Sequence, residues 1–138
     1  MIVGYTTGVF DLFHVGHLNI LRSAKAMCDR LVVGVSTDEL VYQYKGKRPV
    51  MPCSSRIEIV RAVKYVDVVI RREVMDKVEE WRRIKFNVVF VGDDWYQHEK
   101  WEKWEAELED NGVEIIYLPN TPGVSTSRII EHIRSGVE

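Results

Sequence analysis

"IVGYTTGVFDLFHVGHLNILRSAKAM", residues 2–27, runs from a short apolar segment through a turn bracketed by Gly8 and Gly16 into a helical pattern. "IVGYTT" at 2–7 reads as a strand buried on both faces, because it is too apolar to alternate with water. "HLNILRSAKAM" at 17–27 places Leu18, Leu21 and Ala24 on one side of a helix. Between them lie two histidines three residues apart, His14 and His17. Either they ligate a metal or they face something negatively charged.

The same unit recurs along the chain. "RLVVGVS" at 30–36, "VDVVI" at 66–70, "NVVFVG" at 87–92 and "VEIIYL" at 113–118 read as four more strands. Helical patterns separate them at 54–66, 74–84 and 99–109, and a last one follows at 125–136. The first of these opens with an apparent capping box, Ser55 to Glu58. In the last, Ser125 is a candidate cap and Gly136 a stop. Strand and helix alternating at this spacing require right-handed crossovers and a parallel sheet. The expected fold is one doubly wound, five-stranded α/β domain of the Rossmann-like kind over residues 1–138. Trp101, Trp104 and Leu108 share one helix face, and a face packed on the sheet is the favoured reading over an interaction surface. The basic stretch "YQYKGKRPVMPCSS", 42–55, reads as a long loop of functional length.

Composition narrows the class. The chain is 46% apolar and 29% charged, with a formal net charge of −2. That suits an ordinary globular protein and gives no general attraction for nucleic acid. Cys28 and Cys53 are too few for a disulfide scaffold and read as free thiols of a reducing cytoplasm. No apolar run is long enough to predict membrane insertion, and no export signal is evident.

In an open parallel sheet, ligands sit beyond the carboxyl ends of the strands. Gly8 and Gly16 then flank that edge, with His14 just before a helix and His17 in its first turn. The unpaired N–H groups and positive dipole end of a helix start favour phosphate. A zinc site is disfavoured, since neither cysteine has a matching spacing. A purely structural role for one histidine, as a hydrogen-bonded turn residue, stays open.

The motif resembles the H-x-G-H signature of the cytidylyltransferases, within the wider nucleotidyltransferase superfamily. "GVFDLFHVGH", "VVGVSTDEL", "YKGK", "RIEIVRAVKYVD", "VGDDW" and "GVSTSRII" follow that family's order. The short length and "GDDW" look most like the bacterial glycerol-3-phosphate enzymes. The resemblance implies transfer of CMP from CTP to a small phosphorylated alcohol, with magnesium carried on the CTP phosphates and a homodimeric assembly. It implies catalytic roles for His14, His17 and Lys45, and nucleotide contacts from Gly8, Val9, Phe10, Asp11, Gly16, Asp94, Trp95, Asn120, Ser125 and Thr126. Lys45, Arg56 and Lys64 correspond to acceptor-binding positions. Three positions depart from the pattern. Lys64 and Asn120 stand where the family has arginine and Pro122 where it has glutamate, and Arg48 and Arg128 are candidate substitutes for the arginine missing at Asn120. Rival readings are a cytidylyltransferase for another acceptor (phosphocholine, phosphoethanolamine or a sugar-alcohol phosphate), an adenylyltransferase using ATP, and a nucleotide-binding protein without catalysis.

Overall fold

A computed structural model describes residues 1–92 and 98–136. In chain order its elements are β1 (Val3–Gly8), α1 (Val15–Ala26), β2 (Arg30–Ser36), α2 (Asp38–Lys45), α3 (Cys53–Arg61) and β3 (Val68–Arg72). Then come α4 (Lys77–Ile84), β4 (Val88–Val91), α5 (Trp101–Asp110), β5 (Glu114–Tyr117) and α6 (Thr126–Arg134). All five strands pair in parallel in the order β3-β2-β1-β4-β5. The expected α/β class and strand number hold.

Strand parity explains the near-continuous apolar runs. Leu31, Val33, Val35, Val88 and Phe90 enter one core, shared with Leu21, Ala24, Cys53 and Val60 from α1 and α3. Tyr5, Val32, Val89 and Val91 enter the other, with Val78, Trp101, Trp104 and Leu108 from α4 and α5. Alternate side chains of one strand point to opposite faces, so a sheet covered twice needs apolar residues at both parities. The Trp101–Trp104–Leu108 stripe is buried, as its core reading requires.

Several boundaries differ from expectation. Residues 38–45 form α2, so the long loop shrinks to 46–52 and Lys45 ends a helix. Thr37 caps α2, and Gly46 closes it in the left-handed region at φ 73°. The Ser55–Glu58 capping box does not form. Pro52, with φ −66°, occupies the N-cap and starts α3 at Cys53, which places Ser55 inside the first turn. α6 has no fully buried residue, and Ile133 is 68% exposed. Both cysteines are free, and burial pushes both thiols up, away from thiolate character. Among the described residues no helix is long and apolar enough to cross a membrane.

The chain moves outward from β1 to β2 and β3, then returns past β1 to β4. The order therefore reverses between β1 and β4. That switch point opens a crevice at the carboxyl edge of the sheet, where Gly8 ends β1.

Candidate active site

At the crevice the chain leaves β1 through a turn that two non-glycine residues cross with positive φ, Phe10 at 55° and Leu12 at 49°. Such backbone costs energy and persists where neighbours over-determine it. Phe10 is buried in the core of the α1 face. Asp11, between the two, accepts from the backbone N–H of Val50 at 2.7 Å and of Met51 at 2.9 Å. Its own carbonyl accepts from the Thr126 hydroxyl at 2.7 Å.

His14 is the N-cap of α1. Its Nδ1 accepts from Gly16 N–H at 3.0 Å, and His17 Nδ1 accepts in return from His14 N–H at 3.1 Å. This is a capping box made of two imidazoles, where Ser or Thr with Glu is usual. A Cβ on Gly16 would lie 2.8 Å from the His14 ring, so glycine lets that ring fold over the helix start. The rings stack with centroids 3.9 Å apart, and Phe10 and Phe13 pack on His17 at 5.4 and 5.3 Å.

The caps define the tautomers. A neutral imidazole has one acceptor and one donor nitrogen, and both Nδ1 atoms accept. Each ring's proton is thereby assigned to Nε2. Burial lowers the pKa of His14. For His17, burial and the neighbouring His14 outweigh the pull of Asp11 and bring it down to about 4. Both rings are neutral near pH 7, each keeping an Nε2–H to donate beside the N-terminus of a twelve-residue helix. The structural-turn and ligand-facing readings of the histidines are thus compatible, one through each nitrogen.

The β5–α6 connection lies against this helix start. Asn19 donates to the Thr121 hydroxyl at 2.9 Å, and Ser125 caps α6 by accepting from Arg128 N–H at 3.1 Å. Asn19 and Thr121 are missing from the sequence reading, and no local signal connects residues 102 apart. Asn120 is exposed beside Thr121. Gly8, Val9, Phe10, Asp11, His14, Gly16, His17, Ser125 and Thr126 therefore gather at one edge. Asp94 and Trp95 lie outside the described residues.

Other expected ligands are placed differently. Arg56 is 0% exposed, so it presents no surface to an acceptor. Its Nε donates to Met51 O, Nη1 to Val9 O and Ser36 O, and Nη2 to Asp38, at 2.6–2.8 Å. Lys64 lies between α3 and β3 beside Tyr65, whose hydroxyl accepts from Arg22, and Arg22 donates in turn to Asn19, the partner of Thr121. The Lys64 Nζ sits 5.2 Å from the centroid of the Tyr65 ring. Lys45 is exposed, its Nζ 5.8 Å from the centroid of Tyr44, and Arg48 lies over Tyr42 at 5.5 Å. Arg128 is exposed in the first turn of α6.

A buried polar network that sequence did not reveal lies behind the crevice. Lys77 donates to the Thr7 hydroxyl at 2.7 Å and lies 3.6 Å from Glu80, which also accepts from Arg72 and from the Tyr5 hydroxyl. Among the described residues, no group of three or more His, Cys, Asp or Glu could hold a metal ion. Asp11 is already engaged by backbone N–H groups. The described residues offer donors for an anion here.

Paired imidazole donors at a helix start, on the switch point of a parallel sheet, are the layout of a Rossmann-like nucleotidyltransferase. A cytidylyltransferase-like family model matches residues 5–132, and the chain belongs to that family. FAD synthase of Thermococcus kodakarensis is 39% identical over 91% of this chain and 87% of its own length. The bifunctional protein HldE of Rhodopseudomonas palustris is 36% identical over 97% of this chain, which spans 27% of that protein. Neither bears the glycerol-3-phosphate name to which the motifs lean. The lipopolysaccharide core biosynthesis protein of Thermoplasma volcanium shares the fold with a TM-score of 0.71 and 26% identity, over 88% of this chain and 97% of its own. Thermotoga maritima TmcAL, crystallised with alpha-thio ATP, gives 0.72 at 16% identity over 99% of this chain and 51% of its own, a likeness of fold alone.

Proposed function

We propose that this nucleotidyltransferase moves CMP from CTP onto the phosphate of a small alcohol, with glycerol 3-phosphate the first acceptor to test. An acceptor phosphate oxygen attacks the α-phosphorus and forms a new P–O–P bond. The bond from that phosphorus to the α–β bridging oxygen breaks, and pyrophosphate leaves with the electron pair. The attacking oxygen is already ionised at neutral pH, so no side-chain base is required. What the protein must supply is alignment and charge stabilisation. The observation that carries this reading is the stacked pair His14 and His17, each left with an Nε2–H donor at the start of α1.

Lys45 would add the positive charge that bridges donor and acceptor phosphates. Gly8, Gly16, Ser125 and Thr126 would bring backbone and hydroxyl donors around the triphosphate, and Asn120 a neutral amide. Magnesium fits this site only as a passenger of the triphosphate, where it offsets phosphate charge. A homodimer is the assembly to expect from the family resemblance. The choice of CTP leans on "VGDDW" and "GVSTSRII" in the sequence.

A second reading has its own support. The FAD synthase relative matches nearly end to end, and FAD is flavin mononucleotide joined phosphate to phosphate with AMP. The same cradle would serve ATP and flavin mononucleotide. Pyrophosphate release from CTP or ATP, each crossed with glycerol 3-phosphate and flavin mononucleotide, separates the two. The first reading expects turnover with CTP and the alcohol phosphate. Turnover with ATP and the flavin alone would replace it, and pyrophosphate from no combination would contradict both.

A further inference from the structure

Asp11 and Arg56 are buried charged side chains at the crevice, and both are bonded to protein. Arg56 reaches from α3 to the motif turn at Val9, the end of β2 at Ser36, the start of α2 at Asp38, and Met51. Asp11 takes the adjoining N–H groups of Val50 and Met51. Residues 50–51 are thus gripped from both sides, by a carboxylate on their N–H groups and a guanidinium on the Met51 carbonyl. Charge-assisted bonds of this kind are about twice as strong as neutral ones. The stretch they grip needs it. Residues 46–52 belong to no helix or strand, and Gly46, Lys47, Arg48 and Val50 are exposed. Lys45 stands at the head of that stretch.

We propose that Asp11 and Arg56 are positioning residues, a latch that fastens the 46–52 segment to the motif turn and thereby sets where Lys45 meets the reacting phosphates. Arg56 has no exposed surface with which to touch a ligand, so its effect on turnover runs through the segments it joins. The catalytic half of this inference rests on the nucleotidyl-transfer reading. The anchoring half does not.

The test pairs amide hydrogen exchange with a double-mutant cycle on the full chain. In Asp11→Asn, exchange of the 46–52 peptide should quicken about tenfold while peptides from β1, β2 and β4 stay protected. With the better of CTP or ATP, kcat should fall about tenfold and the nucleotide KM should move less than about twofold. In a Lys45→Ala background the same substitution should add almost nothing, because the latch acts through that lysine. Unchanged exchange overturns the proposal, and so do kcat losses that simply multiply. Should Asp11→Asn fail to fold, Arg56→Lys carries the same comparisons. Failure of both to fold would make these residues scaffold and overturn the latch. If the wild-type protein transfers no nucleotide, the function falls, while the exchange result still decides the latch.

Discussion

Replacing His17 by alanine removes an Nε2–H donor and leaves the bond from Gly16 N–H to His14 intact. Loss of one preorganised donor to a developing oxyanion lowers kcat by about 100- to 1000-fold, and steady-state pyrophosphate release measures it. Activity within about threefold of wild type would remove His17 from the chemistry. The same imidazole makes a pH prediction. Its pKa in the fold is about 4, against an ordinary 6.5. Between those values the unfolded chain binds more protons than the native one, so His17's contribution to stability is lost as pH falls through that window. Thermal unfolding across the range should show a shallower fall for His17→Asn than for wild type. Equal slopes would contradict the depressed value. Sequence revealed the two rings and their spacing, because H-x-x-H straddles a helix start on local geometry alone. It did not reveal that each Nδ1 caps the helix, since histidine is not a usual cap and the bond depends on a turn crossed at positive φ.

Among the helices, α2 shows what composition conceals. Lys45, Lys47, Arg48 and two prolines made 42–55 look like loop, yet Thr37, Asp38 and Glu39 are an ordinary start signal. Thr37 is buried, and its hydroxyl accepts from Leu40 N–H at 3.2 Å. Thr37→Ala should cost about 1 kcal/mol, read as a lower urea midpoint with unchanged slope. No shift in midpoint would mean that the cap is dispensable. At α3 the opposite error occurs. Ser55 and Glu58 have the spacing of a capping box, but Pro52 sets its own backbone angle and starts the helix earlier. A pattern of caps is only a set of candidates, and the residue with the stiffest backbone chooses among them.

Across the chain, what could be read in advance was whatever depends on period. Apolar residues at both strand parities specify a sheet covered on two faces, and the 3.6-residue stripes specify the covering helices. What could not be read are pairs distant in sequence: Asn19 with Thr121, Thr126 with Asp11, and Arg56 with Val9. Arg56 illustrates the cost, since a basic residue in a motif suggests a ligand contact, and only the fold reveals that three backbone carbonyls and the Asp38 carboxylate take its donors. The Tyr5–Arg72–Lys77–Glu80 network is equally silent in sequence. Glu80 is 3% exposed and faces Arg72 and Lys77, and burial and the neighbouring Arg72 bring the Lys77 pKa down to about 7, so Glu80→Gln chiefly leaves the buried Arg72 charge less compensated. A loss of about 3 kcal/mol or more in denaturant unfolding is expected. A loss below about 1 kcal/mol would mean that other groups carry the compensation.

The central claim is that the His14 and His17 rings, held by their caps, turn Nε2–H donors toward the phosphates of a nucleoside triphosphate. Side-chain ¹⁵N NMR of the two imidazoles, recorded near pH 7 before and after addition of a non-hydrolysable CTP or ATP analogue, addresses it directly. Both free rings should be neutral with the proton on Nε2, and both Nε2 signals should move on nucleotide binding while the Nδ1 signals keep their acceptor character. Protons on Nδ1 in the free protein, or saturation by nucleotide with both Nε2 signals unmoved, would contradict it.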